Sequence, residues 1–194
     1  MEETHILLVR HPETTANIDG RYVGTGDAPY TREGQLQVRR IAQKIARFEP
    51  QRLWTSPLRR TLVAARRAAA QANVPAEVDD RLVELDFGIA EGLTFAEVQA
   101  AGILFNYKEI DTPVAPQGET RRAIEARSAA FCDDIITLGG RHAVVTHGGV
   151  FRASLVHLLG LSSTDIWAFH IHNAQMAHVR IVEGHGMLEE YRVA

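Results

Sequence analysis

The 194-residue sequence has one cysteine, no excess of positive charge and no long apolar run. Cys132 alone cannot close an internal disulfide, and its helical surroundings predict a half-buried small hydrophobe. No stretch approaches the roughly 18 apolar residues that a membrane span requires. The opening MEETH lacks the basic flank and apolar core of a secretory leader, so the expectation is a soluble, unprocessed protein of the reducing cytoplasm. Lys and Arg number 21 against 24 Asp and Glu, a formal net charge of -3, which gives neither nucleic acid nor an anionic membrane a reason to bind. Basic pairs such as Arg39-Arg40 and Arg66-Arg67 fall within helical patterns and read as solvated faces. A Walker-type phosphate loop is also missing, and so are internal repeats, which argues against nucleotide-driven phosphoryl transfer and against a solenoid.

What is present is an ordinary globular composition, 45% hydrophobic and 23% charged, in a length that suits a single domain over residues 1–194. The run Ile6-Leu7-Leu8-Val9, closed by Pro12, is too short for a stable helix and predicts a buried strand that ends at Arg10 and His11. A glycine-rich loop follows, with turns at Gly20, Gly24 and Gly26. Thr31 then caps a helix whose apolar stripe is Leu36, Ile41, Ile45 and Phe48. Residues 52–55 form a second strand ending at Ser56-Pro57, and an alanine-rich helix from Leu58 to Asn73 carries Arg60 in its first turn. Residues 76–78 are a weak strand, 81–92 are irregular, and 94–101 form a short helix. Pro113 and Pro116 make the rest of 93–118 a lid or substrate-wall segment, with Ile103, Leu104, Phe105 and Tyr107 as its apolar face. A long helix spans 119 to 139, and residues 142–147 repeat the opening pattern, an apolar strand ending in His147. Gly148-Gly149 then turn into a helix, and IWAFHIH, AHVRIV and MLEEYRV read as terminal strands.

Strands alternating with helices predict an α/β fold, a three-layer α/β/α sandwich on a mostly parallel, partly antiparallel central sheet. In such sheets ligands gather beyond the carboxyl ends of the strands. Three strand ends there offer Arg10 with His11, Ser56 with Arg60, and His147 with a helix N-terminus, a set suited to a tetrahedral oxyanion such as phosphate. On Arg10 and His11 alone, a solvated strand terminus explains the residues equally well.

Five segments in order then resemble the histidine phosphatase, or phosphoglycerate mutase-like, superfamily: LLVRHPETTAN, SPLRRT, RLVELDFGIAEG, PQGET and VVTHGGVFR. The run ETTANIDGRYVGTG and the late DIWAFHI are most similar to α-ribazole phosphatase-like members. The resemblance implies a phosphomonoester hydrolase in which His11 accepts the phosphoryl group as phosphohistidine, and Arg10, Arg60, His147 and the Asn17 amide hold the non-bridging oxygens. A backbone carbonyl on the other ring nitrogen of His11 would fix the required tautomer. Glu84 aligns with the proton donor; by the residues alone Glu13, Asp86 and Glu91 compete with it. Gly24, Arg21 and Gly148 are assigned to substrate contact, Arg21 being weighed against an ordinary surface arginine. Two positions depart from the pattern: Pro12 replaces a glycine, which removes an N–H and fixes φ, and Ala90 replaces a tryptophan.

The expected partner is a small-molecule phosphomonoester, with no cofactor and no metal, and the terminal strands leave pairing across a homodimer open. Lys108 is the only base in residues 103–116, which favours hydrolysis over mutase transfer. Two rivals of other classes are a non-catalytic phosphate-binding protein, disfavoured by retention of both His11 and Glu84, and a metal hydrolase. The latter is prompted by 9 histidines and by His170 and His172, which strand alternation would place on one face.

Overall fold

A computed structural model describes residues 3–194 of the protein. Its strands are β1 (Thr4–Arg10), β2 (Arg52–Thr55), β3 (Ala76–Val78), β4 (Gly140–Thr146), β5 (Gln175–Val182) and β6 (His185–Val193). They make one sheet in the order β3-β2-β4-β1-β5-β6. The first four strands run parallel, while β5 is antiparallel to β1 and β6 to β5.

The central strands are continuously apolar because both their faces are covered. Ile6, Leu8 and Val144 point into one core, under α5 (Arg121–Leu138) and α6 (Gly148–Leu158). Leu7, Val9, Leu53, Ala143 and Val145 point into the other, under α2 (Arg32–Phe48) and α3 (Arg59–Ala72). Period-two alternation on a sheet buried on both sides thus produces the expected three layers. Ala64, Ala65, Ala68 and Ala69 form the buried face of α3, where small side chains let helix and sheet approach closely.

Four expectations need correction. Leu36 is 45% exposed, because five residues at about 100° each carry it well off the face of Ile41, and Val38 takes the core position. Cys132 is fully buried rather than half-buried, and burial pushes its thiol up to about 12. Gly148 and Gly149 are not a turn ahead of α6 but its first two residues, with His147 as N-cap. IWAFHIH is not a strand: Ser162 and Asp165 form a capping box that starts a 3-10 turn, Ser163–Trp167, and the chain to Ala174 is irregular. His170 and His172 therefore share no strand face, although their rings meet edge-on at 4.4 Å. Among the described residues no group of three or more His, Cys, Asp or Glu is placed to hold a metal ion, and no helix is long and apolar enough to cross a membrane.

Candidate active site

The parallel pairing of β1 with β4 is in register, Arg10 opposite Thr146, so the next residues, His11 and His147, emerge side by side. The His11 amide donates to the Thr146 carbonyl (2.8 Å), and the two imidazoles stand 5.4 Å apart between centroids. Strand β2 pairs with the other edge of β4, which places Ser56 beneath His147, its Oγ 2.8 Å from Nε2. Sheet order thus brings together residues that lie far apart in the sequence.

The His11 ring is buried, and its Nδ1 lies 2.7 Å from the Pro12 carbonyl oxygen. A carbonyl only accepts, so Nδ1 carries the proton and Nε2 keeps its lone pair. Burial, with Arg10 and Arg60 beside it, holds the imidazole well below the ordinary histidine range. His147 is likewise held low by burial and by Arg60; its Nδ1 is buried with no hydrogen-bond partner, as is Arg10 Nε. With the Ser56 hydroxyl donating to Nε2, the His147 ring proton sits on Nδ1, and buried donors in this state fit an anion better than a neutral ligand.

Asn17 sits in the one-turn helix α1 (Thr15–Ile18). Its Oδ1 accepts from the Thr14 amide (3.0 Å), the Thr14 hydroxyl (2.9 Å) and Asn173 Nδ2 (3.0 Å). That turns Nδ2 into the donor available to the cavity. Asn173 also reaches the His11 carbonyl at 3.3 Å. Nothing in the sequence flagged it, since Asn173 falls in the short link between the expected strands at 166–172 and 177–182.

Glu84 lies between the Leu85 amide (2.9 Å) and the Gly149 amide, which is 3.0 and 3.1 Å from its two oxygens. A carboxylate at a helix N-terminus is stabilised there. A Cβ on Gly149 would fall 2.5 Å from Glu84 Oε1, whereas one on Gly148 would meet its neighbours no closer than 3.5 Å. Gly149 is thus the glycine that this contact requires, while Gly148 merely lines the cavity.

Arg60 is buried and donates to the carbonyls of Val23, Gly24 and Gly26, tying the glycine-rich loop to the first turn of α3. Gly24, expected as a substrate contact, is tightly engaged by the rest of the fold. Its amide donates to Glu91 (2.9 Å), its Cβ would meet the Leu85 carbonyl at 2.1 Å, and it is absent from the cavity wall. Arg21 reaches the wall, but its Nη1 is engaged by the Gly92 carbonyl (2.8 Å) and Glu97 (3.0 Å).

The cavity, of about 310 Å³, is lined by Arg10, His11, Asn17, Arg60 and Glu84 together with Tyr22, Phe87, Tyr107, Arg152 and Trp167. Of the apolar face expected between 103 and 107, only Tyr107 lines it. Leu104 is 82% exposed, and Ile103 and Phe105 pack around Ala90, Ala115 and Val98 of the short helix α4 (Phe95–Ala100).

The sequence profile of the histidine phosphatase superfamily (branch 1) matches residues 6–194. The chain is 30% identical over 179 residues to the glucosyl-3-phosphoglycerate phosphatase of Mycolicibacterium vanbaalenii, covering 86% of this chain and 79% of that one. It is 28% identical over 186 residues to phosphoserine phosphatase 1 of Hydrogenobacter thermophilus, covering 92% and 87%. The α-ribazole phosphatase structure from Shigella flexneri, at 23% identity, superposes with a TM-score of 0.84 over 98% of this chain and 95% of that one, a likeness of fold. With a profile match over nearly its whole length, the chain belongs to branch 1 of the histidine phosphatase superfamily.

Proposed function

We propose that the chain hydrolyses small phosphomonoesters by way of a phosphohistidine on His11. The observation that carries this reading is the bond from Nδ1 to the Pro12 carbonyl, which leaves a neutral ring with its Nε2 lone pair free inside a cavity lined by arginines. In the first step Nε2 attacks phosphorus, the N–P bond forms, the bond to the leaving oxygen breaks, and Glu84 gives that oxygen its proton. In the second, Glu84 takes a proton from water as the water oxygen attacks phosphorus. The N–P bond then breaks, its electron pair returns to Nε2, and inorganic phosphate leaves. The proton that Glu84 gives to the leaving oxygen in the first step is replaced by the one it takes from water in the second, so the cycle closes on Glu84 as it began.

Arg10, Arg60, His147 and Asn17 Nδ2 are assigned to the non-bridging oxygens, since charge neutralisation and positioning are the main terms in phosphoryl transfer. Three of the five N–H groups of Arg60 are engaged by loop carbonyls, so its share of the clamp falls to the other two. Residues 93–118 are read as a wall for the rest of the substrate, contributing Tyr107 and Val114. The second reading is phosphoglycerate mutase-type transfer, which must retain the dephosphorylated molecule. This wall adds no cation for the purpose, because Lys108 is exposed and outside the cavity.

Rapid acid-free quenching with a labelled phosphomonoester tests the covalent step. Acid-labile, base-stable label is expected on the wild type and none on His11→Ala. Label trapped equally on His11→Ala, or no phosphate released from p-nitrophenyl phosphate across about pH 5 to 8, would sink the assignment.

A further inference from the structure

The phosphate chemistry leaves one cation of the cavity without a task. Arg152 stands on α6 one turn beyond Gly148 and Gly149, so the three share the helix face that lines the cavity. Its Nε donates to the Phe169 carbonyl (3.3 Å), and its guanidinium lies 5.6 Å from the centroid of Trp167. Among the described residues no carboxylate pairs with it. The wall's other arginines away from the nucleophile are engaged: Arg21 by Gly92 and Glu97, and Arg121 by Glu125 (2.9 Å), the Tyr107 carbonyl (3.0 Å) and Ser163 (2.8 Å). The charged and titratable groups around Arg152 are Glu84, Arg10, Tyr107 and Tyr191. Glu84, the one acid among them, is already held by two backbone amides.

A half-buried cation with no counter-ion has lost hydration without a partner to replace it, an arrangement that favours an anionic ligand. We infer that Arg152 binds a carboxylate on the alcohol portion of the substrate, so that the enzyme prefers phosphorylated hydroxy acids and amino acids to phosphorylated neutral alcohols. A carboxylate matches this position better than a second phosphate. One guanidinium fork balances a planar monoanion, and the adjoining wall, Tyr107, Ile166 and Trp167, offers aromatic and aliphatic surface, its neighbouring Arg121 being already paired with Glu125. Arg152 and Arg10 line the same cavity of about 310 Å³, which suits a short carbon skeleton between phosphate and carboxylate. The inference rests on the phosphatase reading and adds to it the class of substrate.

The test compares kcat/KM within each protein for pairs that differ at the carboxylate: O-phosphoserine against O-phosphoethanolamine, and 3-phosphoglycerate against glycerol 3-phosphate. The wild type should favour the carboxylates by roughly tenfold to a hundredfold, the range of a charge-assisted hydrogen bond. Arg152→Gln should bring that ratio close to one, chiefly through KM, and Arg152→Lys should retain part of it. If the Gln protein does not fold, the wild-type and Lys ratios still decide. A wild-type ratio near one, or a ratio that survives in Arg152→Gln, overturns the inference. So does an equal loss on both members of a pair with a displaced pH profile, which would make Arg152 a tuner of Glu84. Turnover of p-nitrophenyl phosphate with no carboxylate preference defeats the inference alone, whereas no turnover of any ester defeats the phosphatase reading beneath it.

Discussion

Pro12 shows how one residue can lose one interaction and secure another. A proline has no N–H to offer an oxyanion, so any contact that a glycine amide makes in the family pattern is lost here. Its carbonyl nevertheless accepts the Nδ1–H of His11 at 2.7 Å, and a ring-fixed φ lowers the entropy the unfolded chain must give up to place that carbonyl. Pro12→Gly should therefore lower the free energy of unfolding by about 0.4–1 kcal/mol in urea titration, and an unchanged or raised stability would refute the account. At this scale the sequence displayed the reactive groups, because Arg10, His11 and Glu84 carry their chemistry in their side-chain type. It did not display their partners. Ser56 beneath His147, Asn173 against Asn17 and the orientation of the Asn17 amide are set by residues distant in the chain.

Among the elements, α6 connects most of the site, since its N-cap is His147, its second residue seats Glu84 and its second turn carries Arg152. Gly149→Ala should cut kcat by at least about tenfold, and more for esters with poor leaving groups, because a Cβ at 2.5 Å displaces the carboxylate that must protonate them. Gly148→Ala, with contacts no closer than 3.5 Å, should lose much less. Equal losses in the two variants, measured with p-nitrophenyl and alkyl phosphates, would contradict this seat for Glu84. The helices were legible wherever caps and period agreed, as from Thr31 to Phe48 and from Thr120 to Leu138. The stretch from Ile166 to His172 was not, because alternation and aromatic content suit a strand while a local capping box at Ser162 and Asp165 directs the backbone into a 3-10 turn.

For the whole molecule, burying several neutral imidazoles links stability to pH. His11, His147, His142 and His178 all have pKa values lowered by burial. Above the unfolded value of about 6.5 neither state binds these protons. As pH falls below it, the unfolded chain takes them up before the native state does, so native stability falls. Thermal melts should be nearly flat from about pH 8 to 7 and drop between about 6.5 and 5, with each histidine contributing at most about 1.4 kcal/mol per pH unit over that window. His147→Gln should make the slope shallower, and a melting temperature constant down to pH 5 would contradict neutral burial. The two-sided sheet was visible in advance because continuous apolar strands have few other stable uses. The meeting of β1, β2 and β4 was a topological inference that in-register parallel pairing makes concrete.

Composition, period and motif order by themselves determined the layered α/β class, the strand ends that carry chemistry and the resemblance to phosphohistidine enzymes. These properties repeat locally or reside in residue type. Only the tertiary structure decided that Gly24 braces a loop, that Gly149 seats Glu84 and that Arg152 faces the cavity without a counter-ion. Those outcomes depend on which backbone amides, carboxylates and aromatic rings lie within a few ångströms after folding. A linear pattern does not record such distances.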